Sequence, residues 1–267
     1  MVEQNSRIRD GVLAYTVTGD GPPIILIHGF AASNFDWIYL EPELANHGFK
    51  VYSPDLIGHG NSNNSNPVKG YTFEVIYQHF SDWISSQVYG QGVTLVGHSL
   101  GGLISLNFAI QNPKVIRNLV LINPYYSKKQ LNWFLRYTSQ HPEPYRRALQ
   151  AAPSWLIRMI ISLDIHGYIH YEDRIRRQKA EDVSRAAPEI VYIPGSIPHF
   201  STHLQDIQAP TCVIWGTKDR TLNPISFPEL AEVLPEAISV PISGAGHQPH
   251  LTNTNQLNQS VIEFLTQ

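Results

Sequence analysis

Residues 92–111 read GVTLVGHSLGGLISLNFAIQ, and this stretch decides the fold. Residues 92–96 are a mostly apolar run of strand length, and 100–111 are a helix-length segment that stops before Pro113. The turn between them is Gly97-His98-Ser99-Leu100-Gly101. A serine on such a strand–turn–helix turn projects its hydroxyl at the helix N-terminus, where developing negative charge is favoured. The small residues two positions either side of Ser99 keep the strand and the helix from colliding. The stretch therefore predicts Ser99 as a nucleophile.

Short apolar runs alternate with helix-length segments along most of the chain. Besides 92–96, strand-like runs lie at 23–28, 50–53, 118–122, 210–215 and 237–241. Helix-like segments lie at 41–46, 71–89 and 255–265. This alternation predicts an α/β fold with a mostly parallel central sheet that is flanked by helices on both faces. The run 13–18 alternates between polar and apolar residues, which favours an antiparallel strand near one edge.

The alternation stops between residues 125 and 199, where helix-like pieces follow one another with hardly a strand candidate. We predict a core domain of residues 1–124 and 200–267 and an inserted helical cap, or lid, of residues 125–199. The cap holds eleven Lys or Arg and seven Asp or Glu, a net charge of +4, which leaves −7 for the rest. A basic cap with aromatic residues would suit peripheral contact with an anionic membrane surface or substrate, although solvated helix faces are the simpler interpretation.

Composition excludes several function classes. With 42% apolar and 15% charged residues the chain is typical of a folded protein, and a net charge of −3 gives no electrostatic reason to bind nucleic acid. The single Cys212 cannot form an intramolecular disulfide, which fits a reducing compartment. No secretory signal is visible, and no stretch approaches the roughly 20 apolar residues of a membrane span. We expect a soluble, cytoplasmic protein without a transmembrane segment.

Two further loops carry residues that would complete a catalytic triad with Ser99. Asp219 follows the run 210–215, and His247 follows the last run after a Gly-Ala-Gly turn. Parallel strands place such loops together at the carboxyl edge of the sheet. A serine needs a base to take its proton, and the base needs a carboxylate to hold one tautomer. The sequence therefore predicts Ser99, Asp219 and His247 as catalytic residues.

Other histidines and carboxylates near these loops are alternatives. His250 lies three residues beyond His247 but lacks the Gly-x-Gly turn, so His247 is preferred as the base. Asp55 precedes the serine in the chain, and we expect it to fix its own loop. His98 is expected to pack or to hold its neighbours, because adjacent residues on a tight turn point in different directions.

An oxyanion hole and the absence of cofactors are also predicted. His28-Gly29-Phe30 ends the run 23–28, and the backbone N–H groups of Phe30 and Leu100 are the predicted oxyanion donors. The glycine-rich stretches match neither a dinucleotide fingerprint nor a P-loop. The histidines lack metal-ligand spacing such as H-E-x-x-H. We expect neither a cofactor nor a metal.

With these motifs in view, the chain resembles the α/β-hydrolase superfamily in its serine esterase, lipase and meta-cleavage hydrolase branch. The matching stretches are LIHGF at 26–30, PDLIGHGNS at 54–62, LVGHSLGG at 95–102, LVLINP at 119–124, WGTKDR at 215–220 and GAGH at 244–247. The resemblance implies the α/β-hydrolase fold with the same triad and oxyanion donors. Related haloalkane dehalogenases and epoxide hydrolases carry Asp where this chain has Ser99, so both are disfavoured. HGFAA at 28–32 disfavours prolyl iminopeptidases. Some members place the acid after the preceding strand, but Asn123 stands there, which supports Asp219.

The function that these inferences favour is hydrolysis of a carboxylic ester of a small or lipid-like apolar substrate through an acyl-enzyme. Alternatives are carbon–carbon bond hydrolysis of the meta-cleavage type and a slow-turnover, ligand-sensing protein. Aromatic residues in or near the cap are candidates for a substrate pocket, although aromatics in amphipathic helices more often serve packing. The candidates are Trp37, Tyr125, Tyr126, Trp133, Phe134, Tyr137 and Trp155.

Overall fold

Eight strands form one sheet in the computed structural model, which describes residues 2–8, 11–62, 71–88, 90, 92–162, 171–198 and 203–267. The sheet order is β1-β2-β4-β3-β5-β6-β7-β8. The strands are β1 (Val2–Ile8), β2 (Gly11–Thr18), β3 (Pro23–Ile27), β4 (Lys50–Pro54), β5 (Val93–His98), β6 (Ile116–Ile122), β7 (Thr211–Gly216) and β8 (Ile238–Ile242). In this sheet order, the six strands from β4 to β8 run parallel to their neighbours, whereas β2 is antiparallel to both β1 and β4. The predicted mostly parallel sheet is confirmed, as is the antiparallel strand near one edge.

Helices cover both faces of this sheet. The α-helices of the described residues are α1 (Leu40–Asn46), α2 (Phe73–Gln87), α3 (Leu100–Gln111), α4 (Trp133–Gln140), α5 (Pro142–Ala151), α6 (Ser154–Ser162), α7 (Asp173–Arg185), α8 (Ser226–Val233), α9 (Pro249–Thr252) and α10 (Thr254–Leu265). Along β3, Ile25 and Ile27 join the apolar cluster that includes α2, α3 and α8, whereas Ile24 and Leu26 join the cluster with α1 and α10. Since side chains alternate along a strand, a strand buried on both faces is apolar throughout, as β3 is.

Helices α4 to α7 lie between β6 and β7, and the described part of that stretch contains no named strand. This is where the sequence predicts the cap, whose boundaries stay a prediction. A short 3-10 helix at Pro188–Tyr192 follows α7 and precedes the return to the core. Because β6 and β7 are parallel, the chain leaves the core at the carboxyl edge of the sheet, where β6 ends, passes through the four helices and returns to the opposite edge, where β7 begins.

The described residues contain no helix that combines the length and the apolar character required to cross a bilayer.

Candidate active site

The backbone at Ser99 is strained, and the surrounding chain holds it there. Ser99 has φ 51° and ψ −110°, which non-glycine residues rarely adopt, at the junction of β5 and α3. Its N–H donates to the Ile122 carbonyl (3.0 Å), and its own carbonyl accepts from Leu103 and Tyr125. A Cβ at Gly97 or Gly101 would overlap backbone carbonyl oxygens of the facing segments. The small residues therefore make the turn possible, as the sequence predicts.

The structure brings together the three side chains that the sequence selects. His247 Nε2 lies 3.1 Å from Ser99 Oγ, and His247 Nδ1 lies 2.7 Å from Asp219 Oδ2. A carboxylate can only accept, so Nδ1 carries the proton and Nε2 presents its lone pair to the serine hydroxyl. Residues 148 and 28 positions apart in the chain thus form one continuous hydrogen-bonded series.

Asp219 is buried, and each of its two carboxylate oxygens accepts two hydrogen bonds, which stabilise its negative charge. Oδ1 accepts from the Thr221 and Leu222 N–H groups at 2.8 and 3.0 Å, and Oδ2 accepts from Asn123 Nδ2 at 2.7 Å as well as from His247. Burial raises the pKa of Asp219, but His247 and these hydrogen bonds outweigh it and hold the pKa below its ordinary value. The carboxylate remains ionised behind the imidazole.

Asn123 is a site residue that the sequence did not predict, because it entered the sequence analysis only as the position where some relatives carry the acid of the triad. It follows β6, has φ 42°, and binds Asp219 Oδ2 through Nδ2 while Oδ1 accepts from the Gly216 N–H at 3.3 Å. Asparagine tolerates this left-handed backbone better than most residues. Its position at the carboxyl edge of the sheet is the signal from which a polar contact to the triad was predictable.

The predicted oxyanion donors lie on either side of the nucleophile in the fold. Leu100 begins α3 directly after Ser99, and Phe30 lies in the loop after β3, the strand that pairs with β5. Among the residues that the structure describes, neither N–H donates a hydrogen bond to a protein acceptor. The first N–H groups of a helix lack intrahelical partners. The role of both amides as oxyanion donors stays a prediction.

The neighbouring histidines are structural. His28 is fully buried; its Nδ1 donates to the Gly29 carbonyl at 2.8 Å, and its Nε2 accepts from the Leu56 N–H at 3.0 Å. Burial lowers its pKa to about 4. His98 Nε2 donates to the His247 carbonyl at 2.8 Å and so supports the loop of the base. The expected structural role of Asp55 is confirmed, because its carboxylate accepts from the Asn34 and Asn61 N–H groups.

A buried charged cluster lies behind the triad. Asp36 forms an ion pair with Lys179 of α7, and His250 Nε2 lies 3.6 Å from the second Asp36 oxygen. Donor atoms of Asp36, His98 and His250 lie within 4.8 Å of one another, which is a metal-like grouping. The ammonium of Lys179 already balances the Asp36 charge, so we assign no metal there. His250 is fully buried in this cluster, and no hydrogen bond of the described residues links it to Ser99.

Trp37 does not belong to a substrate pocket, so that prediction is wrong. Its side chain is fully buried in the apolar cluster beneath α1 and α10, and its ring lies 5.1 Å from that of His250. The 3-10 helix Asn34–Trp37 turns the indole toward the sheet, where its large apolar surface is removed from water.

The other pocket candidates fall into two groups. Tyr125 and Tyr126 lie directly after β6; the Tyr125 N–H donates to the Ser99 carbonyl at 3.0 Å, and the Tyr126 hydroxyl donates to the Ser226 carbonyl at 2.8 Å. Trp133, Phe134, Tyr137 and Trp155 are exposed on α4 and α6, and no contact of the described residues connects them to Ser99. Of the candidates, only Tyr125 is thus placed against the nucleophile.

The chain belongs to the alpha/beta hydrolase fold family, whose model matches residues 22–254. This match spans the strands β3 to β8 and every loop that carries a residue of the candidate site.

Individual relatives are distant but span most of the chain. It is 28% identical over 256 residues to a pimeloyl-[acyl-carrier protein] methyl ester esterase of Stenotrophomonas maltophilia, covering 93% of this chain and 95% of that protein. It is 24% identical over 272 residues to epoxide hydrolase 3 of Xenopus tropicalis, covering 94% and 74%. The structure of a thermophilic esterase from Thermogutta terrifontis matches with a TM-score of 0.83 at 22% identity over 98% of both chains, which shows the shared fold.

Proposed function

We propose that the protein is a serine hydrolase that cleaves a carboxylic ester of a small or lipid-like apolar substrate. The observation that carries the proposal is the hydrogen-bonded series from Asp219 through His247 to Ser99 Oγ, with contacts of 2.7 and 3.1 Å, at a serine whose backbone is strained. An activated hydroxyl that faces amide donors is the arrangement that acyl transfer needs.

The proposed reaction forms and then hydrolyses an acyl-enzyme. His247 Nε2 takes the hydroxyl proton as Ser99 Oγ bonds to the ester carbonyl carbon, and the carbonyl π electrons move to the oxygen. The amides of Phe30 and Leu100 donate to that oxyanion. The bond to the alcohol then breaks, and the alcohol leaves with the proton from His247. Water gives a proton to His247 and attacks the acyl carbon, and Ser99 regains its proton as the acid departs.

The relatives support an ester over an epoxide as substrate. One relative is a methyl ester esterase that matches over nearly the full length of both chains. Another is an epoxide hydrolase, but the epoxide hydrolases that resemble this chain carry Asp at the nucleophile position, and this chain has Ser99.

A fluorophosphonate probe followed by intact-mass measurement tests the nucleophile. The wild-type protein should gain one adduct, and Ser99→Ala should gain none and lose roughly 10⁶-fold in kcat on a nitrophenyl ester. Ser105→Ala is the matched control: Ser105 lies on the same helix, donates to the Gly101 carbonyl, and should be dispensable for labelling. Adduct formation in Ser99→Ala, or turnover of a meta-cleavage diketone without any ester turnover, would contradict the proposal.

A further inference from the structure

Helix α4 presents its aromatic side chains to solvent. Trp133 is 80% exposed, Tyr137 54% and Phe134 47%, whereas Leu135 and Ser139 turn inward. The exposed rings touch one another: Trp133 and Phe134 are 5.9 Å apart at their centroids, and Phe134 and Tyr145 of α5 are 6.1 Å apart. Contiguous apolar surface of this kind on a folded protein marks an interaction site more often than chance.

The same segment carries uncompensated positive charge. Residues 125–142 contain Lys128, Lys129 and Arg136 and neither Asp nor Glu. Arg136 Nη2 donates to the Lys129 and Leu131 carbonyls, and Lys128 Nζ donates to the Gly195 carbonyl at 2.6 Å. Carbonyls position these cations without neutralising them, and none of the three forms an ion pair with a carboxylate among the described residues.

Elsewhere in the region of α4 to α7, four arginines have carboxylate partners. Glu143 pairs with Arg146 and Arg147, and ion pairs also join Asp173 to Arg176 and Glu181 to Arg185. Arg174 and Arg177 of α7 are also exposed without an ion pair among the described residues, and what distinguishes the α4 segment is that its three cations lie in the same stretch as the exposed rings. We call Lys128, Lys129, Trp133, Phe134, Arg136 and Tyr137 the α4 face.

The α4 face lies next to the loop of the triad acid. Asn132, the N-cap of α4, donates through Nδ2 to the Arg220 carbonyl at 3.3 Å, one residue beyond Asp219. The Asn223 N–H donates to the Gln130 carbonyl at 2.9 Å, and Leu131 pairs with Leu222 as an isolated bridge. A surface bound by the α4 face would therefore lie beside the carboxyl edge of the sheet, where Ser99 is.

We propose that the α4 face binds the surface of an anionic phospholipid bilayer. Tryptophan and tyrosine rings suit the boundary between headgroups and acyl chains, and lysine and arginine reach lipid phosphates while their stems remain in apolar surroundings. Charge complementarity selects this occupant over a second copy of the chain, because two such faces would bring six cations together. The proposal does not depend on ester hydrolysis by Ser99.

Vesicle sedimentation in the Ser99→Ala background measures binding without turnover. We expect binding to vesicles with 30% phosphatidylglycerol in phosphatidylcholine, weakening as salt rises, and at least tenfold weaker binding to pure phosphatidylcholine. Lys129→Ser, which removes one cation, should weaken binding to the anionic vesicles about fivefold. Trp133→Ser should weaken it at least as much, and in the parent the tryptophan emission should shift to the blue on binding.

Matched controls come from the opposite end of the sheet, where Lys114 and Val115 are exposed ahead of β6. Lys114→Ser and Val115→Ser should bind vesicles like the parent. Equal binding by Trp133→Ser and the parent, or equal binding to neutral and anionic vesicles, would overturn the proposal. A lipid-free dimer that Trp133→Ser dissociates would also overturn it and assign the face to a second copy. If the wild type binds vesicles but hydrolyses no ester, the proposed function fails while this inference stands.

Discussion

Asp219 shows how the candidate site is fixed one hydrogen bond at a time. Four donors from three separate segments converge on its carboxylate: two backbone N–H groups of its own loop, Asn123 after β6, and His247 after β8. Each donor restricts the carboxylate to one orientation, and that orientation sets the tilt of the imidazole toward Ser99. The serine hydroxyl is therefore oriented indirectly by residues that never touch it.

Asn123 is the donor whose removal tests this view. We expect Asn123→Gly, which keeps the positive φ accessible, to lower kcat about tenfold with KM little changed, because a hydrogen bond to a charged group contributes about 1.5–3 kcal/mol. Steady-state kinetics on a nitrophenyl ester would measure it. Asn123→Asp should be at least as impaired at neutral pH, since it places a second carboxylate against Asp219. Full activity in the similarly sized Asp variant would reduce Asn123 to a space-filling role.

The site residues that could be predicted from the sequence lie in loops with characteristic sequence motifs. Ser99, Asp219 and His247 were predictable because each follows a buried strand within a characteristic turn. Trp37 was misplaced because aromatic character does not reveal which side of the sheet a short 3-10 helix faces. Asp36 and Lys179 were out of reach, since 143 residues separate two groups whose pairing depends on how α7 docks.

At the scale of elements, α7 is attached to the core through a buried ion pair. Lys179 and Asp36 are almost inaccessible to solvent, and Ser33 Oγ donates to Asp182 of the same helix at 3.0 Å. Burial raises the pKa of Asp36, but the ammonium of Lys179 and the adjacent His250 and His98 imidazoles together outweigh it and hold the pKa well below its usual range. The helix is thus joined to the loop between β3 and α1, which continues from the Phe30 amide.

Removing the cation from this pair should destabilise the protein strongly. Lys179→Met leaves the Asp36 carboxylate buried without its cation, and we expect a loss of about 3–5 kcal/mol in the free energy of unfolding, measured with urea. Arg176→Met is the matched control on the same helix, because its pair with Asp173 is solvent-exposed and should contribute less than about 1 kcal/mol. The double variant Lys179→Met with Asp36→Leu should recover most of the loss. No recovery would show that packing, not charge, decides the effect.

Two elements of the fold could not be predicted from the hydrophobic pattern of the sequence. Strand β1 (VEQNSRI) has no apolar run, and it is defined by seven paired positions with β2 at the edge of the sheet. Helix α8 (SFPELAEV) is short and contains Pro228, so periodicity alone did not suggest it, although Phe227 and Leu230 are buried against the sheet. Strands β3 to β7 were predictable because burial on both faces demands an apolar sequence.

At the scale of the whole molecule, the buried histidines determine the response to acid. Burial lowers the pKa of His28 to about 4 and that of His59 to about 3, and it lowers the pKa of His98 and His250 as well. His59 is fully enclosed, and its Nδ1 donates to the Ile57 carbonyl at 3.1 Å. Each of the four therefore takes up its proton at a lower pH in the folded state than in the unfolded chain, where histidines are protonated below about pH 6.5.

One buried carboxyl works in the opposite direction. Burial raises the pKa of Asp182 to about 6, more than Lys179 and its hydrogen bonds lower it. The folded state therefore binds this proton between about pH 6 and 4 while the unfolded chain releases it, so Asp182 becomes less destabilising as the pH falls. The proton that the folded state gains at Asp182 offsets about one of the protons that the unfolded chain gains at its histidines.

The net balance predicts a steep loss of stability on acidification. Near pH 5 the unfolded chain binds about one proton more than the folded one through His28, His59 and Asp182 together, and the lowered pKa values of His98 and His250 add to this difference, so the free energy of unfolding should fall by at least about 1.4 kcal/mol per pH unit. Urea unfolding at pH 7, 6 and 5 measures this slope. Asp182→Asn should steepen it by about one proton, or about 1.4 kcal/mol per pH unit, while stabilising the protein at pH 7, because the buried charge is gone. A stability that stays flat between pH 7 and 5 would mean that these imidazoles become protonated without unfolding, and hence that water reaches them in the folded protein.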